Sequence, residues 1–109
     1  MKQKTAVNAF AALGHDTRLG IFRLLVEAGP EGLPASEIAK TLVIQPSNLT
    51  FHIAHLTRAS LVRSRRDGRW IIYSADFGAM NALVDFLTQK CCGGDPQACR
   101  DIKSEEKAS

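Results

Sequence analysis

The sequence lacks any long hydrophobic run, and this absence limits where the protein can reside. No apolar stretch approaches the length of about 18 residues that a membrane-spanning helix needs. Lys2 and Lys4 are not followed by the apolar core of a secretory signal. We therefore expect a protein of the cytoplasm without a membrane partner. Its 109 residues suffice for one domain with a modest core.

Cysteine is confined to one short segment, because all three cysteines lie within residues 91–99. In the cytoplasm such a cluster favours metal binding or redox sensing over a framework of structural disulfides. The sequence places no phosphate-binding loop around these thiols and no general base beside them. A thiol-dependent enzyme is therefore the least favoured class, and we expect a protein that is not an enzyme.

Positive charge is concentrated in one part of the chain. The net charge is only +3, yet five arginines lie between Arg58 and Arg69 against the single acid Asp67. A local basic strip of this kind indicates a nucleic-acid footprint, although by itself it is equally consistent with a solvated surface. The secondary structure in which these arginines lie distinguishes the two interpretations.

Apolar periodicity predicts four helices before this strip. Asp16 is predicted to cap the second helix, which Gly29-Pro30 stops. Pro46 suits the first position of the fourth. The predicted helical segments run from Val7 to Leu13, from Thr17 to about Ala28, from Ala35 to Leu42, and from Pro46 to Ser60.

Residues 43–45 are the whole connection between the third and fourth helices, which predicts a helix-turn-helix. At 100° per residue, Leu49, Ile53 and Leu56 share the core side of the fourth helix. Its opposite side carries hydroxyl, amide, aromatic and basic groups, as a major-groove reader requires. Phe51 either contacts a thymine methyl or packs on a neighbouring element, and His52 is interpreted as a packing residue.

The periodicity then changes to that of strands. Residues 62–66 and 69–74 flank Asp67-Gly68, which is a strong hairpin signal. Its tip is predicted to carry three arginines that meet phosphate or enter a minor groove. A helix-turn-helix followed by such a hairpin is a winged helix. The predicted DNA-binding residues are Gln45, Ser47, Asn48, Thr50, Phe51, His55, Arg58, Arg65, Arg66 and Arg69.

Asp76 is predicted to cap a last helix from Phe77 to about Lys90. Apolar residues span about half of its circumference, which is more than one small domain can cover. We therefore predict a mainly α winged helix-turn-helix with a β-hairpin wing, dimeric through the first and last helices. Residues 1–92 form the DNA-binding and dimerisation domain, and residues 93–109 form a mobile tail that completes an inducer site.

The thiol cluster resists an ordinary disulfide between its first two members. The Cα atoms of Cys91 and Cys92 are about 3.8 Å apart, below the usual range of about 4.4–6.8 Å for a disulfide. Gly93-Gly94 and the turn-forming Asp95-Pro96 allow Cys99 to return over the pair. Three thiolates suit a soft three-coordinate ion, such as arsenite or antimonite, better than magnesium, calcium or four-coordinate zinc.

Two alternatives for the cysteines stay open at this point. A redox or persulfide switch would pair Cys99 with Cys91 or Cys92, and incidental tail cysteines would have no role. If the last helix continues by one residue, Cys91 lies in phase between Phe77 and Met80, on the apolar side. The inducer site would then adjoin the predicted dimer contact.

With these residues in place, residues 6–92 resemble the ArsR/SmtB family of metal-sensing repressors. The similarity lies in the motifs that open the second and fourth helices, and in the approach to the wing and its close. Those motifs are His15-Asp16-Thr17-Arg18-Leu19, Pro46-Ser47-Asn48-Leu49-Thr50-Phe51-His52, Ala59-Ser60-Leu61-Val62 and Tyr73.

The resemblance implies a homodimeric repressor that binds an inverted-repeat operator in double-stranded DNA without a cofactor and leaves it when an inducer binds. The sequence departs from two common site arrangements of the family, because residues 35–39 hold no cysteine and no histidine follows Asp76. It is similar to the branch whose arsenite site is a vicinal pair plus a third cysteine, here Cys91, Cys92 and Cys99. Arsenite, with antimonite as a chemical analogue, is the inducer that this branch implies.

Overall fold

The computed structural model describes residues 1–94. The predicted tail from residue 95 onward, with Cys99, lies outside the described residues. The described part is mainly α-helical with one small sheet, and a single 3-10 turn follows the last helix. The helices are α1 (Gln3–Leu13), α2 (Asp16–Ala28), α3 (Ala35–Leu42), α4 (Pro46–Arg58) and α5 (Phe77–Thr88); the strands are β1 (Leu33–Pro34), β2 (Val62–Asp67) and β3 (Trp70–Ala75); the turn is Cys91–Gly94.

The core forms around α2, whose Ile21 and Leu25 are fully shielded from solvent. Ile38 of α3 and Leu56 of α4 are equally buried, so the predicted apolar faces of these helices do meet. Helix α1 packs on this core through Ala6, Ala9 and Ala12, which are all buried. Because alanine has the smallest apolar side chain, this face lets α1 approach its neighbours closely.

A third strand, β1, extends the predicted hairpin into an antiparallel sheet of order β1-β3-β2. Leu33 pairs with Tyr73, and Pro34 pairs with Ile72. The sequence did not predict β1, because two residues that include a proline have no strand period, and proline is restricted to sheet edges. The wing is thereby tied to the segment between α2 and α3.

Three predicted helix ends were wrong. Helix α1 begins at Gln3, a full turn before the predicted Val7. Helix α4 ends at Arg58 rather than Ser60, which takes a left-handed φ of 62° and cannot continue the helix. Helix α5 ends at Thr88 instead of Lys90, whose φ of 56° is also left-handed.

The structure corrects one cap and one turn as well. The side chain of His15, not of Asp16, accepts a hydrogen bond from the Thr17 amide at the start of α2. In the hairpin, Asp67 pairs with Trp70, so the two-residue turn is Gly68-Arg69 rather than Asp67-Gly68. Sequence alone leaves this register open, because Gly68, with φ of 61°, can occupy either turn position.

None of the described helices is both long enough and apolar enough to cross a bilayer.

Gly32 provides a stability test of the contact between β1 and β3. It has φ of 72°, and a Cβ atom there would overlap the carbonyl oxygen of Tyr73. We expect Gly32→Ala to lower the free energy of unfolding by about 3 kcal/mol, because left-handed strain and backbone overlap add. Gly68→Ala is the matched control: its φ is also positive but no atom crowds it, so a loss of only about 1–2 kcal/mol is expected.

Urea unfolding followed by circular dichroism, at one fixed protein concentration, measures both variants. Equal losses for the two variants would show that the close approach of Gly32 to β3 contributes nothing to stability.

Candidate nucleic-acid interface and thiol pair

The turn between α3 and α4 contains a strained residue. Val43 ends α3 in a left-handed conformation with φ of 54°, which a β-branched side chain rarely adopts. It is 89% exposed, so no packing of its side chain within the described chain compensates for the strain. The amide of Ile44 donates to the Ala39 carbonyl at 2.9 Å and closes the turn. The short connection therefore holds α4 at a fixed angle to α3.

Helix α4 is oriented by its buried face. Pro46 occupies the first turn after the N-cap Gln45, as predicted, and Leu49, Ile53 and Leu56 are buried. Because opposite faces of a helix point in opposite directions, burial of these three side chains directs the other face to solvent. The predicted reading residues Gln45, Ser47, Asn48, Thr50, Phe51 and Arg58 are all exposed, and His55 is half-buried.

On the exposed face, Thr50 forms a local hydrogen bond and Phe51 forms local ring contacts. The Thr50 hydroxyl donates to the Pro46 carbonyl at 3.0 Å, which leaves its oxygen to accept from a base amino group. Phe51 stays exposed and contacts the imidazoles of His55 and His52 edge-on, with ring centroids 4.9 and 5.4 Å apart. The alternative in which Phe51 packs on a neighbouring element is therefore wrong.

Arg18 of α2 connects two other helices. Its Nε donates to the Ala12 carbonyl in the last turn of α1 at 2.7 Å. Its Nη1 lies 3.5 Å from Nδ1 of His52 on α4. Since guanidinium can only donate, this contact requires Nδ1 of His52 to be the acceptor. Arg18 thus joins the end of the first helix to the helix with the exposed polar face.

His52 and His55, which lie near Arg18, favour their neutral forms. Burial lowers the pKa of His52 below 6.5, and the neighbouring His15, Arg18 and His55 lower it further. The pKa of His55 is also lowered, by desolvation and then by Arg18, Arg58 and His15. The rings of His15 and His52 lie 4.7 Å apart. His52 therefore has the packing role that its phase predicted, with an added polar contact.

The wing separates the three arginines that were predicted at its tip. Arg69 lies in the turn itself, and Arg66, opposite Ile71, is also exposed. Arg65 is set farther back, and its guanidinium donates to the carbonyls of Glu31 at 2.7 Å and Pro30 at 3.4 Å. Arg65 thus ties the wing to the segment after α2, and the tip carries Arg66 and Arg69.

Helix α5 begins at its predicted cap, because Oδ1 of Asp76 accepts a hydrogen bond from the Ala79 amide at 2.9 Å.

Helices α1 and α5 both leave apolar side chains in solvent. Leu83 of α5 is buried, whereas Val84 and Leu87 are 54% and 61% exposed. Val7 and Phe10 on α1 are similarly uncovered. This is the surplus apolar area that the sequence predicted.

The vicinal thiols lie in the turn that follows α5, separated from the helix by Gln89 and Lys90. Their Sγ atoms are 3.7 Å apart, and both residues are exposed. Cys92 has φ of 53° and Gly93 has φ of 66°, so the chain turns sharply at this point. The condition for placing Cys91 on the apolar side of α5, that the helix continues to this residue, is not met, because the helix ends at Thr88. Within residues 1–94 no three His, Cys, Asp or Glu side chains form a group that could hold a metal ion.

Comparison with known proteins identifies the family. A model described as a helix-turn-helix domain matches residues 13–65. The HTH-type transcriptional regulator YgaV of Escherichia coli is 31% identical over 81 residues, which cover 74% of this chain and 80% of that protein. An ArsR-like transcriptional regulator from a Rhodococcus species superposes with a TM-score of 0.72 at 25% identity, over 97% of this chain and 93% of that one. The chain belongs to the ArsR family of winged-helix transcriptional regulators.

Two further ArsR-type relatives bear on the details. A Halobacterium salinarum protein, provisionally named an arsenical resistance operon repressor, is 37% identical over 78 residues. The match covers 72% of this chain but only 60% of that protein's length. A Mycobacterium bovis fragment, described as a homodimeric winged helix-turn-helix domain, has a TM-score of 0.63 at 21% identity over 85% of this chain and 86% of that one. The latter likeness shows the fold alone.

Membership of the ArsR family makes this chain a DNA-binding regulator and not an enzyme. The contact of Arg18 with α4 was not predicted, although Arg18 lies in a motif that carries the family resemblance. Helical phase places a residue on a face, but it does not show which carbonyl or ring lies across the interface. The available signal was helical phase, because at 100° per residue Arg18 falls on the same face of α2 as the buried Phe22 and Leu25.

The lowered pKa of His52 predicts that stability depends on pH. The folded state favours the neutral ring, so its contribution is fully present above pH 6.5 and is lost as pH falls below that value. We expect the free energy of unfolding to decrease from about pH 8 to about pH 5.5. His52→Asn retains an acceptor for Arg18 but cannot titrate, so it should lose less stability over this range.

Urea unfolding at several pH values measures this dependence. Adding His55→Asn should flatten the profile further, because the pKa of His55 is lowered as well. An unchanged slope in His52→Asn would mean that this imidazole does not couple folding to protons.

Proposed function

We propose that this protein is an arsenite-responsive transcriptional repressor, which binds operator DNA as a ligand-free homodimer and leaves it when thiolates coordinate the metalloid. The observation that carries the proposal is the pair of sulfurs, 3.7 Å apart on exposed residues, in the turn that follows α5 after two residues. The arsenical name of the halobacterial relative supports it.

The spacing of the two sulfurs suits a shared ion. Thiolates bound to one ion at about 2.3 Å, with bond angles of about 90–110°, lie about 3.3–3.8 Å apart. Cys91 and Cys92 fall within this range without rearrangement. Cys99 is proposed as the third donor, and the tail of residues 93–109 then completes the site.

The binding reaction needs no oxidant. Arsenous acid exchanges its three hydroxyl groups for three thiolates, and each thiol proton leaves with a hydroxyl group as water. Three As–S bonds replace three As–O bonds, and arsenic stays trivalent. Antimonite can undergo the same exchange, because both are soft, three-coordinate centres.

A homodimer would use the apolar faces of α1 and α5. Burying Val7, Phe10, Val84 and Leu87 against a second copy removes exposed hydrophobic surface from water. A twofold axis there presents two α4 helices and two wings to an inverted repeat, with half-sites about 10 bp apart. The proposed contacts are those predicted from the sequence, with Arg65 acting first as a support for the wing.

The thiol site can act on the dimer through the end of α5. Lys90 and Cys92 take left-handed angles, a conformation that costs non-glycine residues about 1–3 kcal/mol. Coordination of Cys91, Cys92 and Cys99 to one ion would change the geometry of this junction, next to Leu87. A coupling of about 1–3 kcal/mol between inducer and operator would weaken DNA binding about 5–150-fold.

A thiol-based redox or persulfide switch is the second candidate, favoured by the exposure of both described cysteines. It requires a disulfide or persulfide link that involves Cys99. The two mechanisms differ in what triggers release, since only one of them needs a metalloid.

Substitution of the thiols tests the inducer site. We expect arsenite to weaken operator binding of the wild type, and Cys91→Ser, Cys92→Ser and Cys99→Ser each to abolish that response while DNA affinity without arsenite is kept. Fluorescence anisotropy of a labelled duplex measures affinity, and thiolate absorbance during titration with arsenite, antimonite, cadmium and zinc measures coordination.

Full release of DNA by arsenite from Cys92→Ser would exclude the three-thiolate site. Release by peroxide or persulfide alone, with loss of the response in Cys99→Ser, would favour the redox switch instead.

Substitution on α5 tests the dimer. We expect Leu87→Glu to shift the protein toward monomer and to weaken operator binding at least about 10-fold, because a carboxylate would be buried in an apolar interface. Asn81→Glu is the matched control, since Asn81 is exposed on the same helix. Analytical ultracentrifugation measures the state of association, and a dimeric Leu87→Glu protein would contradict the proposed interface.

A further inference from the structure

The outer half of the wing leaves two large apolar side chains in solvent. Trp70 and Ile71 are 60% and 49% exposed. They are consecutive in β3, so their side chains lie on opposite faces of the hairpin. Ile71 lies opposite Arg66, on the face that farther back contains the buried Val62 and Ala75. Trp70 is on the other face, next to the turn.

No packing within residues 1–94 accounts for the position of Trp70. Its strand partner is the exposed Asp67, and Arg65 and Ile72 form the next pair on its face. An exposed indole at the end of a projecting hairpin contributes little to the core. A binding partner gives such a side chain a role, because tryptophan offers a large contact area at low cost in conformational entropy.

The positive charge around Trp70 indicates the class of partner that this side chain contacts. The turn and its flanks contain Arg63, Arg65, Arg66 and Arg69 against Asp67 alone. A second copy of this chain would bring another basic wing and repel this one. Double-stranded DNA complements the charge, and its grooves accept apolar side chains against sugars and base edges.

We infer that Trp70 is a DNA contact, with its indole packed against the sugars or base edges of a groove while Arg66 and Arg69 meet phosphates. The inference rests on the DNA binding within the proposed function and does not depend on arsenite. It adds an apolar contact to a wing that otherwise acts through charge. Such a contact depends on the shape and width of the groove, so it contributes to the choice of sequence.

Fluorescence reports on this contact directly, because Trp70 is the only tryptophan in the chain. The probe is the duplex that the wild-type protein recovers from a random-sequence library. We expect Trp70 emission to change in intensity and to shift to shorter wavelength in proportion to binding. Saturation seen by anisotropy of the labelled duplex, without any change in tryptophan emission, would overturn the inference.

Affinity and its salt dependence separate an apolar contact from a charged one. We expect Trp70→Ala to weaken binding about 10-fold with an unchanged slope against salt, and Trp70→Phe to restore part of the loss. Arg69→Ala should reduce the salt slope by about one. Wild-type affinity in Trp70→Ala would overturn the inference.

Ile71→Ala is the matched control for damage to the hairpin. It removes the neighbouring apolar side chain from the opposite face, and we expect a smaller loss of affinity with circular dichroism unchanged. Equal losses in the two variants would indicate a destabilised wing and overturn the direct contact.

These outcomes also separate the inference from the function on which it rests. Recovery of no duplex by the wild-type protein would overturn both. DNA binding that tracks Trp70 but resists arsenite would support this inference and reject only the proposed inducer.

Discussion

Burial of one face of α4 is the constraint on which the rest of the structure depends. Leu49, Ile53 and Leu56 are removed from water against α2 and its neighbours. Burying each such side chain is worth about 1.5–3 kcal/mol, so rotation of α4 about its axis is strongly opposed. The polar side chains that face outward are consequently held in one array. The DNA contacts proposed for this helix would thus follow from how its apolar side packs.

The array is held before α4 and in the body of the helix. The left-handed Val43 closes the turn before α4, and the Arg18 side chain joins His52 in the body of the helix to the Ala12 carbonyl in the last turn of α1. Because α1 also presents Val7 and Phe10 to solvent, the Arg18 guanidinium links a helix of the proposed dimer face to the helix of the proposed DNA face. A change in the packing of two subunits would therefore reach α4 through Arg18 alone.

The two halves of the wing differ in how they are supported. Its inner half belongs to the core, where Val62 and Ala75 are buried and β1 pairs with β3. Its outer half has no such support, and Arg65 compensates by donating to carbonyls of residues 30 and 31. The thiol pair likewise lies beyond the packed part of α5, where residues 87–94 are all exposed. The outer wing, proposed to contact DNA, and the thiol pair, proposed to bind the inducer, thus both lie where the domain core ends. A ligand can alter the local geometry there at small cost in stability.

The sequence by itself determined the order of the helices and the hairpin, the buried face of α4, the proline at its start, the Asp76 cap and the Arg-rich character of the hairpin. These are set by local periodicity and by backbone preferences of single residues, which need no knowledge of distant neighbours. Only the tertiary structure decided that His15 caps α2, that Arg18 contacts Ala12 and His52, that Arg65 supports the wing, and that β1 exists. All but the His15 cap depend on which groups lie across an interface, and a contact between residues 34 apart leaves no periodic signal in the chain. The cap is local, but histidine is outside the usual set of N-cap residues. The end of α5 was also decided there, since the extended Gln89, with ψ of 122°, and the left-handed Lys90 place the thiols outside the helix.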